Sequence, residues 1–122
     1  MLTGNLLTDL GNAYESERFD TLLINRGLRV ERIVSNGQAS EPGFWYDQDW
    51  DEWVLVLQGC AMLEVQSTGN EATDQCVEVR LEPGDHFFIA AHQRHRVAWT
   101  DPARPTVWLA LHWDPPVPVN TP

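Results

Sequence analysis

The chain has 122 residues, enough for one domain with a buried core and too few for two. Its 18 acidic side chains face only 8 basic ones, all Arg, and the formal net charge of -10 would repel a phosphate backbone or an anionic membrane surface, which argues against both as partners. No apolar run approaches the roughly 18 residues of a spanning helix, and the N-terminus lacks the positive start and long apolar centre of a secretory leader, so a soluble, cytoplasmic protein is expected.

In chain order, the first dozen residues allow a helical turn or two, and everything after them has the punctuation of an all-β protein. Short runs rich in Val, Ile, Leu, Phe and Trp recur about every ten residues: FDTLLI (19–24), LRVERIVS (28–35), EWVLVLQG (52–59), CAMLEVQ (60–66), CVEVRLE (76–82), HFFIAA (86–91), HRVAWT (95–100) and TVWLALHW (106–113). Turn signals such as NRG, SNGQASEPG, EPGD and TDPARP lie between them, a spacing that predicts a sandwich or barrel. The tail DPPVPVNTP cannot donate a regular ladder of hydrogen bonds, so the sheet should end by about Trp113. WVLVL (53–57) does not alternate, which predicts cover on both faces of that strand, by N-terminal strands or by a second subunit of a homodimer. Cys60 and Cys76 are too few for a disulfide framework and read as two buried thiols that could face each other across one hairpin.

Four carboxylates crowd into Asp47–Glu52 immediately before that apolar strand. DQDWDEWVLVLQ opens like a calcium loop, but Glu52 stands where the loop needs Gly and Gln58 where it needs a bidentate Glu, so calcium is rejected. Asp47, Asp49 and Asp51 are then solvated loop charges, one of which could accept a hydrogen bond from Arg94 or Arg96. There is no Gly-rich phosphate loop, no nucleophile elbow, and no evident pair of carboxylates for glycoside chemistry.

The spacing Glu52, six residues, Gly59 is similar to the second half of the first cupin motif, and GDHFFIAAHQRHRVAW resembles the second motif, with His95 at the motif histidine, Ala90 at the usual Pro, His92 at the usual Gly and Trp99 at the usual Asn. The stretch 28–113 has the length and strand order of one cupin barrel. The resemblance implies a double-stranded β-helix, or jelly roll, over 28–113, with residues 1–27 as an extension carrying one or two strands that pack on the barrel and 114–122 as a Pro-rich tail. In metal-bearing members two histidines and the Glu of the first motif join the second-motif histidine around a divalent transition ion. Here Glu52 and His95 are retained, while Tyr46 and Gln48 stand where the two first-motif histidines are counted.

A set of Gln48, Glu52 and His95, helped by His112 if it points inward, would hold Fe, Mn, Zn or Ni with one or two nitrogens and weaker oxygen donors. Each residue has a plainer reading beside this one. Glu52 could be an edge carboxylate bonded to Arg, His95 a core histidine bonded to Glu52, and Gln48 polar lining. His92 could cap the turn AHQR or reach the pocket, and His86 reads as a surface residue. Tyr46 and Trp99 are candidates to orient a substrate. Two functions are compatible with this set: a metal-dependent enzyme on a small organic molecule, of oxygenase, isomerase or lyase type, or a small-molecule-binding accessory protein with no essential metal.

Overall fold

The computed structural model describes residues 3–11, 16–67 and 75–114. Within them run eight strands: β1 (Arg18–Asn25), β2 (Leu28–Ser35), β3 (Asp51–Gln58), β4 (Ala61–Gln66), β5 (Cys76–Leu81), β6 (His86–Ile89), β7 (His95–Thr100) and β8 (Thr106–Trp113). Each falls within two residues of its predicted run, because the turn residues between the runs set the ends. The strands form two antiparallel sheets, one ordered β1-β2-β8-β3-β6 and the other β5-β4-β7. Alternation turns Val54, Val56, Trp108 and Ala110 of the first sheet toward Ala61, Leu63, Val65 and Leu81 of the second, and these residues with Ile89 form the core of an all-β, cupin-type jelly roll.

No helix forms among the described residues, although the N-terminus allowed one. The Asn5 side chain accepts a hydrogen bond from the Leu7 backbone N–H, a local Asx turn that competes with helix, and Asp9 adopts a φ of 50° two residues later. The segment is tied down instead by Arg32, which lies on the outer face of β2. Its guanidinium donates to the carbonyls of Leu6, Thr8 and Asp9 and pairs with Asp20 at 2.7 Å, so a charge only 7% exposed finds acceptors on every side.

β3 carries the apolar run without alternation, and its faces differ in environment. Val54 and Val56 are buried in the barrel, whereas Trp53 and Leu55 are half-buried on the outer face. Both cysteines are free, as two thiols should be, and Cys60 is buried as expected, but Cys76 departs from expectation and is exposed. The register explains why they do not face each other, since Cys76 pairs with Gln66 at one end of the β4–β5 ladder while Cys60 precedes Ala61 at the other. Most of the tail, residues 115–122, lies outside the described residues.

Candidate functional site

The barrel encloses a cavity of about 290 Å³. Strand pleat decides what enters it. On β2 the period-two set Arg29, Glu31 and Ile33 faces inward, opposite His112, Ala110 and Trp108 of β8; on β3 the inward set begins with Glu52, which pairs with His112 and with Ile89. Tyr46 forms an isolated bridge with His95, and its ring stacks on the imidazole at 5.3 Å. Tyr46, Gln48, Glu52, His95 and His112 therefore line one cavity, although 66 positions separate the first from the last.

Glu52 and His95 converge: Oε1 of Glu52 lies 3.9 Å from Nε2 of His95, and both side chains are more than nine-tenths buried. Too long for a hydrogen bond, this distance leaves each group with an unshared lone pair. Burial, with repulsion from Glu31, raises the Glu52 carboxyl to about 7, against the opposing influence of Arg29 and a hydrogen bond from Gln48. Burial also lowers the His95 imidazole, opposed by the Gln93 carbonyl and Asp47.

The two histidines are held in opposite tautomers. Nδ1 of His95 lies 2.9 Å from the carbonyl oxygen of Gln93, an acceptor only, so Nδ1 carries the hydrogen and Nε2 presents its lone pair to the cavity. Nδ1 of His112 instead accepts from the indole N–H of Trp50 at 2.9 Å. In the neutral ring, the form enforced by burial and by Arg29, which bring the pKa to about 4, the hydrogen is then on Nε2. That N–H points at Glu31 and Glu52, 3.9 Å from each. His112 is thus a donor in the cavity, and its expected role as a metal ligand is corrected: the nitrogen facing inward has no lone pair to give.

Trp99 and His92 do not line the cavity, contrary to expectation. The β4–β7 ladder pairs Leu63 with Val97 but Met62 with Trp99, leaving Ala98 as an extra residue. A one-residue bulge reverses the facing of the residues beyond it, and Trp99 emerges 40% exposed. His92 sits at a turn with a φ of 64°, its ring bonded to Asp47 at 2.8 Å and 64% exposed. The acidic loop likewise takes its partners from His92 and from the Ala91 N–H, which Asp51 accepts, rather than from an arginine; Arg94 lies over Trp45 and Arg96 pairs with Glu64. His86 is exposed, against Trp53.

Sequence reasoning missed Glu17, Arg29, Glu31 and Trp50. The ERFD region offers no pattern for Glu17, whose carboxylate accepts from the buried Ser35 hydroxyl at 2.7 Å and is raised by burial. Arg29 and Glu31 were discoverable, since two charges at period two in LRVERIVS must share a face with Ile33. Trp50, among aspartates, gave no signal that its N–H would fix a histidine 62 positions away.

The donor set can be tested against the divalent ion the fold implies. Among the described residues no group of three His, Cys, Asp or Glu side chains is placed to hold one. Glu52 Oε1 and His95 Nε2 offer lone pairs within twice a metal–ligand bond of about 2.1 Å. Gln48 is the third candidate: its N–H donates to Glu52, its buried Oε1 has no partner among the described residues, and a half-turn of the amide would exchange the two. Tyr46 does not join as phenolate, because burial and the charges of Glu17 and Glu52 raise its pKa. The set fits an ion held by one nitrogen and two oxygens.

Comparison with solved structures agrees with this architecture. A proposed mannose-6-phosphate isomerase from Ralstonia eutropha is 48% identical, covering 94% of this chain and 100% of that one, with a TM-score of 0.83. A cupin superfamily protein from Desulfitobacterium hafniense shares 16% identity over 94% of each chain, with a TM-score of 0.66. Oxalate oxidase, solved with the substrate analogue glycolate, shares 13% identity over 92% of this chain and 59% of its own, with a TM-score of 0.70. No protein-family model and no functionally curated protein matches the sequence. The fold and its cavity, mostly apolar with a few convergent polar groups, define a single-barrel β-protein of the jelly-roll type. The chain has the cupin-type fold of these neighbours and, at 48% identity over nearly its whole length, belongs to one family with the Ralstonia protein.

Proposed function

We propose that the protein holds a divalent transition metal (Fe, Mn, Zn or Ni) on Glu52, His95 and Gln48 and acts on a small organic molecule bound in the barrel. The observation that carries this reading is the convergence of two nine-tenths-buried groups, Glu52 and His95, with unshared lone pairs 3.9 Å apart in one cavity. The ion would polarise a substrate oxygen as a Lewis acid. The chain's own residues bind and orient: His112 Nε2–H donates to a ligand oxygen, Glu31 accepts from a hydroxyl, and Tyr46, stacked on His95, walls the site. The proposed activity of the Ralstonia relative supports an isomerase-type reaction over an oxygenase-type one.

A second reading, a small-molecule-binding cupin without an essential metal, is favoured by Tyr46 and Gln48 at the positions of the first-motif histidines and by the Trp50 bond that occupies His112. Elemental analysis of untagged protein separates the two. Near-stoichiometric metal is expected in the parent and its loss in both Glu52→Ala and His95→Ala, with circular dichroism as the check on folding; metal absent from the parent, or unchanged in both variants, selects the second reading.

We also propose a homodimer. β1 is an edge strand whose Leu22, Leu23 and Ile24 are 43%, 46% and 71% exposed, and the adjoining outer sheet face carries half-buried Leu55, Leu109 and Leu111 with Phe88 48% exposed. A second copy pairing about a two-fold axis would cover both. Sedimentation equilibrium should give twice the chain mass for the parent and the chain mass for Leu109→Glu; a monomeric parent excludes the dimer. Among the described residues no helix is long and apolar enough to cross a membrane. The two free cysteines support the proposal of a reducing, cytoplasmic setting.

A further inference from the structure

Four polar atoms of the cavity wall have no hydrogen-bond partner among the described residues. Arg29 Nε and His112 Nε2 are donors, and Glu52 Oε1 and Gln48 Oε1 are acceptors. Buried polar groups are costly to leave unpaired, so such atoms mark where solvent or a ligand completes the bonding. The donors are neighbours, since Arg29 and His112 are paired across β2 and β8. Both approach Glu31, at 3.7 and 3.9 Å, without bonding to it, so both N–H groups are free for a ligand oxygen. The acceptors lie on the Glu52 side of His112.

The charge of the lining restricts the ligand further. Glu17, Glu31 and Glu52 stand against one guanidinium, Arg29, a formal excess of two negative charges that a bound divalent ion would only cancel. Phosphate recognition uses clustered guanidinium or ammonium groups, or a helix N-terminus, and the described lining offers one Arg and no helix. Tyr46 and Trp108 supply flat apolar walls, and a cavity of about 290 Å³ is at the small end of organic-ligand sites.

We propose that the cavity takes an uncharged polyhydroxy compound of monosaccharide size in preference to its phosphate ester. One ligand oxygen accepts from Arg29 and His112 while an adjacent hydroxyl donates to Glu52. The inference rests on the cavity being the ligand site, as in the proposed function; with a metal on Glu52 and Gln48 the adjacent hydroxyl would meet the ion instead, and the contacts to Arg29 and His112 are unchanged.

Calorimetric titration of the purified protein, as isolated and after chelation, with D-glucose, D-mannose, D-fructose and the 6-phosphate of each tests it. At least one free hexose should bind saturably and at least about tenfold tighter than its 6-phosphate, and His112→Leu should weaken it about tenfold while His112→Gln, which restores an N–H, recovers part of the loss. Tighter binding of the phosphate, or no saturable binding of any free hexose, overturns the proposal without using a variant. Because metal content is measured separately, a metal-free protein that still prefers the free hexose would refute the metal reading and leave this one standing.

Discussion

Gly59→Ala is expected to destabilise the fold by more than about 3 kcal/mol, seen as a large fall in the urea midpoint at unchanged slope. Gly59 has a φ of 87°, where an L side chain is strained. A Cβ there would also lie 2.6 Å from Thr106 Cα and 2.9 Å from Pro105 O, besides striking Thr106 Oγ1. These are backbone atoms of the strand entering the sheet centre, and Thr106 is fully buried and bonded both ways to Cys60, accepting from its N–H and donating to its carbonyl. Nothing nearby can yield cheaply. The glycine that follows Glu52 after six intervening residues is therefore needed for close backbone approach as well as for its turn. A loss below about 1 kcal/mol would show that the turn relaxes and that this account of the motif glycine is wrong.

The second large effect is electrostatic. In metal-free protein, Glu52→Gln should raise stability at pH 8 by on the order of 3 kcal/mol and leave it little changed at pH 4. The carboxyl is raised from 4.5 to about 7 by burial and by Glu31, so the folded state binds its proton more tightly than the unfolded state does. Its contribution is then fully favourable below pH 4.5 and is lost as the pH rises through 7. His112 acts in the opposite direction: lowered from 6.5 to about 4 by burial and Arg29, it withdraws stability as the pH falls through that interval. The two nearly offset between 4.5 and 6.5 in the parent, and the variant, without the Glu52 contribution, should lose stability toward acid more steeply than the parent. Chemical denaturation from pH 4 to 8 gives the difference curve; a flat one would mean Glu52 titrates as an ordinary carboxyl.

Strand positions were legible because they depend on local signals, apolar runs and the turn residues between them, which the ladders reinforce. Glu52, Gln48, Tyr46 and His95 could be placed in one pocket because the motif spacing fixes Glu52 on β3, His95 on β7 and the other two in the segment leading into β3. What failed was information that lives between strands. The extra residue at Ala98 has no signature in HRVAWT, yet it turns Trp99 outward. The orientation of the His112 ring depends on an indole 62 residues earlier, and no spacing rule links them. The separation of the cysteines was legible: a hairpin joins the end of one strand to the start of the next, so Cys60 and Cys76, each at a strand start, lie at opposite ends of the ladder.

The order of β1-β2-β8-β3-β6 has a consequence for biosynthesis. Its middle member is also the last of the eight described strands in chain order, reached only after more than a hundred residues of chain. Until then β2 and β3 have no common neighbour, and inward-facing Ile33, Val54 and Val56 lack Trp108 and Ala110. Closure waits for β8 to emerge, and until then the nascent polypeptide must remain unclumped, with its sticky edges open. A surplus of acidic side chains, self-repelling in the extended state, suits a molecule obliged to wait for its keystone.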